Sequence, residues 1–118
     1  MLKKQADIFK SLSDPNRIRI LKMLQMKSMC VCEITDILGL AASTVSQHLT
    51  VLKKAGFIID SKNGKWIDYS LNMNSGVPEI SSMMTALHYM LEGDTQIKKD
   101  KAKIAKVNRL DIVKKSNR

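Results

Sequence analysis

At Phe57 the chain changes period. Phe57-Ile58-Ile59-Asp60-Ser61-Lys62 and Lys65-Trp66-Ile67-Asp68-Tyr69-Ser70-Leu71 are runs of β-type residues divided by Asn63-Gly64, and Asn-Gly between such runs is a strong signal for a tight hairpin turn. The chain ahead of this hairpin has helical spacing. One short hairpin behind a set of short helices cannot build a sandwich or a barrel. The fold it allows is mainly α with a two-stranded β wing.

The helices are legible from their punctuation. A first helix, about Gln5 to Leu12, shows Ile8, Phe9 and Leu12 and breaks at Ser13-Asp14-Pro15, where Ser13 or Asp14 caps the next helix and Pro15 takes its first position. That second helix runs to about Met26 with Ile18, Leu21 and Leu24 at helical spacing. A third starts near Cys32, presents Ile34, Ile37 and Leu38, and stops at Gly39. After a short turn the fourth, Ala42 to Ala55, buries Val45, Leu49 and Leu52 at i, i+4 and i+7 and ends at Gly56. A last helix, about Pro78 to Glu92, carries Ile80, Met83, Met84, Leu87 and Leu91 on one stripe, which suggests a partner surface.

A chain of 118 residues leaves room for one domain plus extensions. Its 20 Lys+Arg against 11 Asp+Glu, a formal +9, favour a polyanionic partner, nucleic acid or an anionic membrane surface. Residues 94–118 hold nine Lys/Arg and three Asp, a net +6. They read as a basic tail, helical or disordered, separate from a domain over residues 1–93. No apolar run is long enough to span a bilayer and the start lacks a signal peptide's apolar region, so a cytoplasmic location is expected.

Two short helices joined by a tight turn, the second with hydroxyl and amide side chains outward, fit helix-turn-helix DNA reading, and the hairpin makes the version winged. On the outward face lie Ser43, Thr44, Ser46, Gln47, His48, Thr50 and Lys53. Gln47 suits adenine, the hydroxyls suit base edges or phosphates, and Lys62 and Lys65 flank the wing tip where it would meet the DNA backbone or minor groove. Enzymatic readings find no support, because no Ser/His/Asp or Cys/His constellation is visible.

Three segments together resemble a known family. Ser13-Asp14-Pro15-Asn16-Arg17-Ile18-Arg19-Ile20-Leu21, Ser43-Thr44-Val45-Ser46-Gln47-His48-Leu49 with Leu52-Lys53-Lys54-Ala55-Gly56, and Gly64-Lys65-Trp66-Ile67-Asp68-Tyr69 look like the ArsR/SmtB winged-helix metalloregulatory repressors. The likeness covers about Ala6 to Leu91. Met29-Cys30-Val31-Cys32-Glu33-Ile34 further resembles the arsenic-responsive branch, whose thiolates take trivalent arsenic or antimony and release the repressor from DNA. The resemblance implies a homodimer held by the first and last helices, here through Ile8, Phe9, Ile80, Met83, Met84, Leu87 and Leu91. It also implies a double-stranded operator that is an imperfect palindrome, no cofactor for DNA binding, and As(III), Sb(III) or another thiophilic ion as effector at Cys30 and Cys32.

Two departures bear on that site. The arsenic branch commonly has a third cysteine where this chain has Thr35, and the family's alternative site on the last helix needs a set of Asp and His where this helix has only His88. On a regular helix, side chains at i and i+2 diverge by about 200°, so Cys30 and Cys32 can share one ion only if the helix start is extended or unwinds. A helix N-terminus and Lys27 should lower the thiol pKa, with Glu33 opposing. The same pair is also open to a redox switch or to an inert structural role.

Overall fold

The computed structural model describes residues 1–116, so Asn117 and Arg118 of the expected tail lie outside the described residues. Asp14 starts the architecture. Its carboxylate accepts the amide N–H groups of Asn16 and Arg17 at 2.8 and 3.4 Å, and Pro15 takes the first helical position, so α2 spans Pro15–Leu24 after α1, Leu2–Ser11. The capped end satisfies amides that would otherwise lack partners, which is worth about 1 kcal/mol. After β1, Met29–Cys30, come α3, Val31–Leu38, and α4, Ala42–Ala55. Gly39 and Gly56 end these helices with φ of 69° and 99°, the left-handed conformation that glycine adopts without a Cβ clash.

The wing is β2, Ile58–Asn63, and β3, Trp66–Leu71, paired antiparallel with Ile58 opposite Leu71 and Asn63 opposite Trp66. The two turn residues are therefore Gly64 and Lys65, one step beyond the Asn63-Gly64 expected from sequence. Gly64 has φ 61° while Lys65 has no positive φ, the type II′ pattern with glycine first, and Asn63 serves as the last paired residue. β1 adds to the other edge of β3, giving a three-stranded sheet in the order β1-β3-β2 in place of a bare two-stranded wing.

One core holds these parts together. Ile20, Leu21 and Met23 of α2, Ile34 and Ile37 of α3, Val45, Leu49 and Leu52 of α4, and Phe57 are all buried. Truncating one such side chain, Leu52→Ala for instance, costs about 2–5 kcal/mol. The last helix expected from sequence, α5, covers Pro78–Tyr89 and buries Ile80, Met84 and Leu87 in the same core. Gln5 on α1 donates to Glu79 on α5. Leu91, in the turn after α5, has φ 63° without being glycine.

The basic segment is ordered on the body of the domain. It forms α6, Thr95–Ile104, and α7, Arg109–Ser116. Ile97, Asp100 and Ile104 are buried, and the Asp100 carboxylate accepts both Arg19 Nε and Arg19 Nη2 at 2.9 Å. A forked pair of this kind fixes geometry as well as charge. Beside it, the ammonium of buried Lys22 donates to the Leu87 carbonyl at 2.9 Å and to Glu92 at 3.0 Å, closing the α5–α6 turn. Lys22 and Lys101 hold the Glu92 carboxyl down at about 2, below the usual carboxylate range. α6 and the start of α7 thus pack on the domain, with Ile97 and Ile104 buried and with α2 and α3 as the neighbours.

Candidate DNA interface and thiol site

α4 is seated by Val45, Leu49 and Leu52, and that seating fixes what the opposite face presents. Ser43, Ser46, Gln47, Thr50 and Lys54 are exposed, and Thr44 is half-buried. Ala41 caps the helix without a side-chain hydrogen bond, so the amide donors of its first turn remain open to an anion such as a phosphate. Thr50 Oγ1 donates to the Ser46 carbonyl at 2.9 Å, so this hydroxyl already has a partner within the helix. His48 is half-buried, with Nδ1 3.3 Å from Arg17 Nη1. Arg17 also donates to the Ser11 carbonyl at 2.6 Å, so this arginine joins α1, α2 and α4.

Lys62 and Lys65 are exposed on the wing. Lys53 differs, because its ammonium lies 2.9 Å from Asp60 on β2, and that carboxylate raises its pKa. A phosphate contact by Lys53 would have to displace Asp60, though an exposed pair of this kind is weak.

The two cysteines meet where a strand turns into a helix. Met29 pairs with Tyr69 and Cys30 with Asp68, which holds Cys30 extended at φ −83° and ψ 168° immediately before α3 begins. Cys32 lies in the first helical turn. The regular-helix divergence therefore does not apply, and the two Sγ atoms are 2.6 Å apart, both cysteines free. Glu33 closes a capping box by accepting the Cys30 N–H at 3.0 Å. Its buried carboxylate is balanced at 3.8 Å by Lys27 and at 3.8 Å by Arg109.

Burial, joined by the hydrogen bond to Cys32, pushes the Cys30 thiol up to about 12. The Glu33 amide at the helix start acts in the lowering direction expected from sequence, but desolvation outweighs it. Cys30 is therefore a protonated thiol at neutral pH. Among the described residues no group of three His, Cys, Asp or Glu side chains could hold a metal ion, so a soft ion here would find two sulfurs. Thr35, which stands where the resemblance would have a third cysteine, has its Oγ1 buried without a hydrogen-bond partner, and a hydroxyl oxygen is a harder donor than a thiolate.

Of the residues expected at a dimer face, Ile8, Ile80, Met84 and Leu87 are buried in the protomer's own core. Met83 is half-buried, whereas Phe9 and Leu91 are exposed, as are Tyr89 and Met90, which the helical stripe did not single out. Sequence reasoning also missed Asp68 and Arg109 beside the thiols. Asp68 could have been found only by knowing that β1 pairs with β3, and Arg109 is 79 positions from Cys30.

A helix-turn-helix whose second helix is anchored by an apolar stripe and presents hydroxyl and amide groups outward, followed by a basic hairpin, defines a winged helix-turn-helix DNA-binding regulator. Residues 14–60 match the family described as bacterial regulatory protein, arsR family. The chain is 44% identical over 85 residues to MJ1325 of Methanocaldococcus jannaschii, an uncharacterized HTH-type transcriptional regulator, covering 71% of this chain and 94% of that one. With the arsenic resistance transcriptional regulator ArsR2 of Pseudomonas putida it shares 37% over 87 residues, 73% of this chain and 69% of the relative. Its fold is like that of the homodimeric winged helix-turn-helix DNA-binding domain of Mb0332 from Mycobacterium bovis, with a TM-score of 0.64 at 20% identity over 80% of this chain and 83% of that one. The chain belongs to the arsR family. Among the described residues no helix is long and apolar enough to cross a membrane.

Proposed function

We propose that this chain is a transcriptional repressor that binds an imperfect-palindrome operator as a homodimer and lets go when a thiophilic ion, As(III) or Sb(III) foremost, occupies Cys30 and Cys32. The observation that carries the effector half is the approach of the two Sγ atoms to 2.6 Å at the junction of β1 and α3. Two soft sulfurs brought side by side suit a soft ion, which they would straddle by parting to about 3.5 Å or more, the separation that two metal–sulfur bonds of about 2.3 Å set. Because α3 is the first helix of the DNA-reading pair, any movement of its start changes how α4 is presented. A coupling of about 1–3 kcal/mol between effector and DNA is enough to switch occupancy.

The test is operator binding by fluorescence anisotropy at fixed salt under full reduction, with As(III), Sb(III), Cd(II), Zn(II) and Hg(II) added in turn. Cys30→Ser and Cys32→Ser should each keep DNA binding and lose release by arsenite. Release of either serine variant at wild-type arsenite levels would remove the pair as sensor. The same closeness of the sulfurs favours a second reading, a redox switch, in which peroxide without metal releases the operator and arsenite under reduction does not.

A further inference from the structure

Arg109 stands at the first position of α7, where a cation opposes the helix dipole. Local helix preference therefore does not account for it, but its surroundings do. Its Nη1 lies 2.9 Å from Asp68 Oδ1 on β3, at an angle that makes the contact an ion pair more than a hydrogen bond. Nε lies 3.8 Å from Glu33 Oε1 on α3, and the guanidinium carbon is 5.2 Å from the centre of the Trp66 ring at the tip end of β3. Lys65 approaches the same ring at 5.0 Å. The side chains of Glu33, Asp68 and Arg109 are 5%, 14% and 23% exposed, so the cluster is screened less by water than a surface pair.

Both carboxylates that face Arg109 belong to the immediate surroundings of Cys30. Glu33 Oε1 accepts the Cys30 N–H, and Asp68 is the strand partner of Cys30. Asp68 also accepts the Asn63 amide at 3.1 Å, which extends the cluster to the last residue before the wing turn. We propose that Arg109 is a positioning residue that fastens the wing to the cysteine-bearing end of α3, so that a disturbance at Cys30 is delivered to the wing through it. The delivery part rests on the reading above that Cys30 and Cys32 take the effector; the fastening part rests on the ion pairs alone.

Trp66 is the single tryptophan in the chain and reports the contact directly. Acrylamide quenching of Trp66 fluorescence is measured on the full chain for wild type, Arg109→Gln, Asp68→Asn and the double variant, with circular dichroism to verify the fold and Arg109→Lys as the conservative control. Fastening by Arg109 makes both single variants more quenchable, the double variant no more so than either, and the lysine variant intermediate. Additive effects of the two singles, or quenching unchanged in Arg109→Gln, would overturn the proposal.

The second arm adds Cd(II) alone under reduction. Cd²⁺ displaces the two thiol protons into the buffer and forms two Cd–S bonds, which appear as a thiolate-to-metal absorption. In wild type this should raise Trp66 quenching and weaken operator binding about fivefold or more, and Arg109→Gln should bring both responses toward nothing while the absorption persists. Persistence of the full release in Arg109→Gln would overturn delivery through Arg109. Absence of the absorption in wild type would sink the effector reading and the delivery with it, while the acrylamide result still decides the fastening.

Discussion

A thiol held near 12 determines how Cys30 meets its chemistry. Its folded pKa is raised above the ordinary 9.0, so the stability this group contributes is present below about pH 9 and is lost as pH rises through the interval up to about 12. Urea unfolding of wild type should therefore fall off more steeply across that alkaline interval than unfolding of Cys30→Ser. Cadmium must displace protons to bind, so its apparent affinity should climb with pH by up to about tenfold per unit for each proton displaced; a flat titration between pH 6 and 8 would place the metal elsewhere. On α4, Gln47→Ala should cost roughly 1–3 kcal/mol on operator and little on random DNA, if its contact is bidentate. Lys62→Ala should instead weaken both alike and reduce the salt slope by about one unit. Competition binding at two salt concentrations separates them.

Among the elements, α6 shows how far a sequence can be read. Its buried apolar residues Ile97 and Ile104 stand seven positions apart, a spacing that puts them on one helix face, but the residue that docks the helix is Asp100, whose partner Arg19 lies 81 positions away. Asp100→Asn should cost about 2–4 kcal/mol, since it leaves Arg19 half-buried beside a neutral amide, and the loss should appear in urea unfolding. An unchanged midpoint would show that α6 is held by its apolar side chains alone. The start of α2 and the end of α4 were legible because each has a local device, Asp14-Pro15 for the one and Gly56 for the other, whereas α2 stops at Leu24, short of the Met26 expected. β1 was not, since two residues carry no period and only their pairing with β3 makes them a strand. The thiol site was half legible for the same reason: Cys30 and Cys32 stand out in the sequence, but the extended backbone that brings their sulfurs together is imposed from across the sheet.

For the molecule as a whole, the apolar surface left after folding is the guide to assembly. Phe9 is 56% exposed, Tyr89 76%, Met90 48% and Leu91 42%, whereas Met84 is 9% exposed and belongs to the core. If the exposed set forms the two-fold contact, Phe9→Asp should yield a folded monomer in sedimentation and lose operator affinity with it, because two half-sites about one helical turn apart need two α4 helices held at that spacing. Met84→Asp should instead unfold the protomer. Leu91 belongs to that exposed set and also holds a left-handed backbone, which for a residue with a Cβ costs about 1–2 kcal/mol. Stability and association then pull this position in opposite directions. Leu91→Gly should make the isolated fold harder to melt while weakening self-association, so selection for thermal robustness alone would erode the dimer first at this turn.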